Sequence, residues 1–138
     1  MIDYFEEKAS ELSLLTGRQR LEHIIQKGEQ HGRLESERRT KENKVEGCQS
    51  NAYLIVTQDG TVTVETDADS KIVRGYLAYL SEGLTGLPAD MVIDEARDSV
   101  EQFVDDGGLE STFTPNRSDA FTNAVEAIID RLRSTRVE

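Results

Sequence analysis

The sequence predicts an α+β domain: N-terminal helices, a small antiparallel sheet, then C-terminal helices packed on that sheet. Three observations carry this. Apolar residues recur at steps of three and four over residues 5–15, the spacing of one helical face. Two runs of β-forming residues then flank Asp59-Gly60, the strongest short-range signal for a hairpin. Helical spacing returns beyond residue 70 and is clearest over 121–132.

The elements follow in order. Phe5, Ala9, Leu12 and Leu15 form the first stripe. Thr16-Gly17-Arg18-Gln19 fits a capping box, in which a Thr hydroxyl and a Gln side chain each take a free backbone N–H. Leu21, Ile24 and Ile25 make a second stripe, and Gly28 sits where that helix would stop. Residues 29–46 are polar, with Leu34 and Val45 as the apolar anchors, and read as a long surface connection. Ala52–Thr57 and Thr61–Thr66 are the hairpin strands, so the sheet has two or three strands with the hairpin at about 52–66. Asp67 or Asp69 can cap a helix carrying Ile72, Val73, Tyr76, Leu77 and Leu80. Gly86 and Pro88 break it and start another that holds Met91, Val92, Val100, Phe103 and Val104 and closes at Gly107-Gly108. Thr114-Pro115 supplies an N-cap and a proline at the first position of the last helix. Phe121, Ala124, Val125, Ile128, Ile129 and Leu132 form its stripe.

The chain has 138 residues, room for a single domain over 1–138. No apolar run approaches the ~20 residues of a membrane helix. The acidic start Met1–Lys8 lacks the layout of a signal peptide. One cysteine, Cys48, leaves no internal disulfide and no thiolate-built metal centre within one chain, and a reducing cytoplasm is the expected location. The net charge of −11 argues against nucleic acid as a partner. That charge is concentrated: residues 59–110 hold 13 acids and 3 bases, while the two ends are nearly neutral. An acidic middle suits solubility or a basic protein partner.

Candidates for chemistry are few. Phosphate-binding glycine loops, Gly-x-Ser-x-Gly, His-Glu-x-x-His and Cys-x-x-Cys are all absent from the sequence. His23 and His31 read as structural. Cys48 is left, and its residues admit two readings. A free cysteine is often an inert buried hydrophobe. This one, however, stands in Gly47-Cys48-Gln49-Ser50, ahead of the apolar run rather than inside it. Gly47 lets the backbone bend, and Gln49 and Ser50 offer donors that could stabilise a thiolate, the form that attacks sulfur.

Val45-Glu46-Gly47-Cys48-Gln49-Ser50 resembles the active-cysteine motif of the SufE family, the sulfur-acceptor partners of cysteine desulfurases. Two further blocks agree in order and spacing. Asp67–Gly75 is similar to the family's acidic turn and Ile-Val-Lys/Arg-Gly helix start, and Phe113-Thr114-Pro115-Asn116-Arg117 to its entry into the last helix. Leu21–Gly28 resembles the family's Leu-x-Leu-Gly helix end. The likeness runs from about residue 18 to residue 133. Three departures stand out: Tyr53 in place of the usual Trp, Gln30–Leu34 in place of a Leu-Pro, and Ala120-Phe121 in place of Gly-Leu.

The resemblance implies transpersulfuration. Cys48 would accept persulfide sulfur from a SufS-like desulfurase, stimulate it, and pass the sulfur to an iron–sulfur scaffold of the SufBCD type. The pyridoxal phosphate belongs to the desulfurase, and no cofactor is implied on this chain. Arg117 would be the motif arginine near Cys48, orienting the loop or favouring the charged sulfur. Gly47, Gln49 and Ser50 would shape the loop. Asp67, Asp69 and Arg74 are candidates for the partner interface, with helix capping the plainer role for the two aspartates. The alternatives are a regulatory module that binds a desulfurase without carrying sulfur, a donor to another sulfur-using pathway, and an α+β domain with an inert cysteine.

Overall fold

The computed structural model describes residues 2–47 and 51–137. Two helices, α1 (Asp3–Ser13) and α2 (Gly17–Gln30), precede a hairpin of β1 (Ala52–Asp59) and β2 (Thr61–Ala68). Helices α3 (Lys71–Leu84), α4 (Ala89–Gly107) and α5 (Pro115–Val137) complete the chain.

Each start signal acts locally. Thr16 accepts from the Gln19 amide while the Gln19 side chain accepts from the Thr16 amide, so the capping box forms as expected. Thr114 Oγ1 accepts from the Arg117 amide at the head of α5. The stripe of α1 buries Phe5, Ala9 and Leu12 and leaves Leu14 exposed at 85%. Burying one such large side chain contributes roughly 1.5–3 kcal/mol.

Three expectations are corrected. Gly28 does not stop α2, which runs on to Gln30. It lies where α2 and α3 touch: a Cβ there would stand 2.8 Å from the Gly75 nitrogen and the Lys71 oxygen. Neither Asp67 nor Asp69 caps α3, since Ser70 does, accepting from the Val73 amide. The strand β2 simply continues two residues past Thr66 and takes Asp67 with it. Asp59 is also a strand residue, paired with Thr61, which leaves Gly60 (φ 76°) alone at the tip.

The sheet pairs from Ala52↔Ala68 to Asp59↔Thr61. Ala52, Leu54, Val62, Val64, Thr66 and Ala68 face inward and are buried, the period of two expected of a strand with one covered face. α3 covers β2 and α5 covers β1, while α1 lies on α4 and α2 on α3. The outer edge of β2 is occupied. The Val62 amide donates to the Leu87 carbonyl and its carbonyl accepts from Gly86, while Val64 bonds Thr85 and Ser81. Between the helices an aromatic chain links Phe5, Phe103, Phe121 and Tyr76 at centroid separations of 5.4–6.4 Å. No helix among the described residues is long and apolar enough to cross a membrane.

Candidate functional site: an anchored loop at the foot of the sheet

The polar connection 29–46 is less slack than its composition suggests. It carries a single 3-10 turn, Ser36–Arg38, and its end runs beside β1. The Val45 amide donates to the Ala52 carbonyl and the Leu54 amide to the Asn43 carbonyl, both at 2.8 Å, with Lys44 bridged to Tyr53. Arg131 of α5 secures this rail, its guanidinium reaching the Leu54 carbonyl at 2.5 Å and the Glu42 carbonyl at 3.2 Å. Burial pulls the Arg131 pKa below its ordinary value. Segments 43–45 and 52–54 therefore form a stem, and the sequence between them, 46–51, holds Cys48 as its third residue.

Both flanks of Cys48 are fixed. Gly47 has a φ of +82° and lies against Asn123 of α5, whose amide nitrogen would be 2.7 Å from a Cβ. Only glycine combines that backbone with that approach. On the other side, Asn51 Nδ2 donates to Asp69 Oδ2 and the Asp69 amide donates to the Asn51 carbonyl, both at 3.0 Å. Asp69 is exposed beyond this bond. Cys48, Gln49 and Ser50 themselves lie outside the described residues.

Asp67 has a different role from the one expected of it. At 0% exposure it offers no surface to a partner. Its carboxylate accepts from Arg33 Nε at 2.8 Å, from the Leu34 amide at 3.2 Å and from the Ala68 amide at 2.8 Å. Arg74 turns inward as well: its side chain is 11% exposed, stands 3.6 Å from Asp67 Oδ1 and donates to the Ala68 carbonyl at 3.0 Å. Together these groups clamp the 33–34 segment and the start of α3 onto the end of β2. Of the three partner-facing candidates, Asp69 keeps an exposed face.

Arg117 Nη1 donates to the Thr112 carbonyl at 2.8 Å. The same residue is held by the Tyr76 hydroxyl, 2.8 Å from Thr112 Oγ1. Burial raises the Tyr76 pKa, against the pull of Thr112 and Arg117, so this hydroxyl stays protonated and can donate. Arg117 thus ties the 3-10 turn Leu109–Thr112, unanticipated from the sequence, to the head of α5. Its separation from Cys48 lies outside the described residues.

His31 Nε2 is 3.1 Å from Thr66 Oγ1. Burial lowers its pKa, outweighing the pull of Glu82 and Asp67, while Lys27 adds to the lowering. A base whose folded pKa is depressed loses stability as pH falls, because the unfolded chain binds the proton first. The expected result is a melting temperature that declines below pH 6.5, the ordinary His value, with a shallower decline in His31→Asn. Identical pH slopes in both proteins would refute this.

Among the described residues, no group of three or more His, Cys, Asp or Glu is placed to hold a metal ion. Asn51, Asn123, Arg131 and Arg33 are the supports that sequence reasoning missed. The neighbourhood of Asn51 to the motif was the one local clue.

Comparison with known proteins matches this chain over residues 6–132 to the model of the SufE family, an Fe-S metabolism associated domain. The chain belongs to the SufE family. Relatives include an uncharacterized SufE-like protein of Synechocystis, 31% identical over 107 residues, which cover 77% of this chain and 65% of that protein. A SufE-like protein of Rhizobium etli is 32% identical over 119 residues, covering 83% and 76% of the two chains. SufE-like protein 1 of Arabidopsis thaliana, chloroplastic/mitochondrial, is 30% identical over 95 residues, 67% of this chain and 24% of that much longer protein. The matched part thus spans about two thirds of the Synechocystis protein and a quarter of the plant one. The solution structure of a hypothetical protein from Thermus thermophilus shares the fold, with a TM-score of 0.77 at 17% identity over 98% of this chain and 97% of that one. In this SufE-family chain the three motif blocks fall where the loop stem, the β2–α3 junction and the head of α5 are built.

Proposed function

We propose that this chain is a sulfur carrier for iron–sulfur cluster assembly, accepting persulfide sulfur on Cys48 from a cysteine desulfurase and stimulating that enzyme. What supports the reading is one arrangement: the sole cysteine of a SufE-family chain falls in a short loop tethered at both feet, through Gly47 against Asn123 and through Asn51 to Asp69. Fixed flanks at Gly47 and Asn51 keep the stem in register on either side of Cys48 in the sequence.

In the transfer, the Cys48 thiolate attacks the outer sulfur of the desulfurase's cysteine persulfide. A new S–S bond forms on Cys48, the donor S–S bond breaks, and its electron pair leaves on the desulfurase thiolate. The second step repeats this with an acceptor thiol on a SufBCD-like scaffold, and a SufS-like enzyme is the proposed donor. Pyridoxal phosphate works on the desulfurase, so this chain needs no cofactor of its own. Gln49 and Ser50 are assigned to thiolate support within the loop. Arg117 is assigned to the same support, orienting the loop or favouring the charged sulfur.

Mixing the protein with a SufS-type desulfurase and cysteine is expected to add one sulfur atom to Cys48 by mass, removable by reductant, and to raise desulfurase turnover. Cys48→Ser should abolish both. If Cys48→Ser stimulates as well as the parent while Asp69→Lys does not, the chain is a regulatory module and the carrier reading fails.

A further inference from the structure

A groove runs between α4 and α5, with a volume of about 470 Å³, within the ~300–1,000 Å³ range of functional pockets. Its apolar lining comes from Val100 and Val104 on one helix and Phe121 and Val125 on the other, with Phe113 from the segment between them. Each helix's pair is spaced by four, so the two rows run along the groove. One bank is acidic, carrying Glu101, Asp105 and Glu110, and the other bank carries the uncharged Ser118 and Thr122. One end is closed by Arg97, which donates to Glu126 through Nε and Nη2 at 2.6–3.2 Å.

We propose that this groove is a docking site for a basic amphipathic helix of a partner protein, about two turns long. The length follows from the walls: five residues of α4 over 97–105 and five of α5 over 118–126 line it, a rise of about 12 Å at 1.5 Å per residue. That accommodates the i, i+4, i+7 anchors of a helix lying in an apolar groove. The charge of the occupant follows from the acidic bank. The Asp105 carboxylate beside Glu110 raises the Glu110 pKa. A Lys or Arg placed between them relieves the repulsion. A second copy of this chain, at net −11, is disfavoured on the same ground.

The apolar row of α5 faces away from the Gly47 contact. Asn123, against Gly47, lies about 160° around α5 from Phe121 and Val125 at 100° per residue.

The test uses a fluorescently labelled Leu/Lys amphipathic helical peptide of fourteen residues, followed by anisotropy, with a Leu/Glu peptide of the same pattern as control. Saturable, salt-sensitive binding of the Lys peptide alone is expected. The triple variant Glu101→Lys/Asp105→Lys/Glu110→Lys should weaken it about tenfold. Thr122→Tyr, which fills the groove from an exposed position, should weaken it without altering charge. The triple variant Asp3→Lys/Glu6→Lys/Glu7→Lys on α1 should bind like the parent. Equal loss in the α1 variant would reduce the effect to bulk charge and overturn the proposal. So would binding of the Leu/Glu peptide, or binding untouched by Thr122→Tyr, with each variant's melt confirming that it is folded.

Discussion

Gly75→Ala is expected to lower stability by about 3 kcal/mol, although alanine is the better helix former by about 1 kcal/mol. The reason is steric. A Cβ at Gly75 would stand 2.1 Å from the Ile24 carbonyl oxygen and 2.7 Å from Ile24 Cγ2. Ordinary carbon–oxygen contacts are about 3.3–3.6 Å, so α2 and α3 must part by roughly an ångström. The obstacle is backbone, which cannot swing aside as a side chain can. Against a total stability of about 5–15 kcal/mol, the loss should lower the melting temperature by about 10 °C. Gly32→Ala, with no atom within 4 Å of the added carbon, is the control and should melt like the parent. If Gly75→Ala does so too, the two helices do not meet backbone to backbone.

Asp67→Ala is expected to be similarly severe, by about 3 kcal/mol or more. Removing the carboxylate leaves the Leu34 and Ala68 amides without this acceptor and takes the counter-charge from the mostly buried Arg74, which keeps its bond to the Ala68 carbonyl. An unsatisfied buried donor costs about 1–3 kcal/mol, and breaking a buried pair about 3–5 kcal/mol. Arg33, at 48% exposure, can turn to water and adds little. Asp67→Asn keeps one acceptor oxygen and should fall between. Urea midpoints give the free energies, and amide exchange at Leu34 should accelerate first, because the 33–34 segment loses its attachment before the core loosens. An unchanged midpoint for Asp67→Ala would mean that the clamp carries no stability.

These two residues also mark where sequence reasoning stops. Thr16 with Gln19, Asp59 with Gly60, and Thr114 with Pro115 act on backbone groups within a few positions, so composition and spacing suffice to read them. Gly28 carries the same local sign as a helix stop, yet its cause is a backbone 47 residues away. Asp67 looked like a cap because caps are acidic and precede helices. Ser70 had equal local title, and the strand's continuation decided between them. Around the cysteine, the motif pointed to the family, whereas Arg131 reaches Leu54 across 77 residues and carries no local trace. Asn123 likewise has no local mark: it is one of many polar positions on α5 until the fold brings Gly47 to it.

The hairpin's margins have a consequence for how the protein behaves when concentrated. A two-stranded ribbon ordinarily invites another chain to zip onto it. Here Thr85, Ser81 and Leu87 take the partners that a foreign strand would need along β2, and Asn43 and Val45 do so at the base of β1. At Val62 and Val64 and at the base of β1 a second copy of the sheet therefore meets backbone that is already bonded, and recognition there is left to side chains.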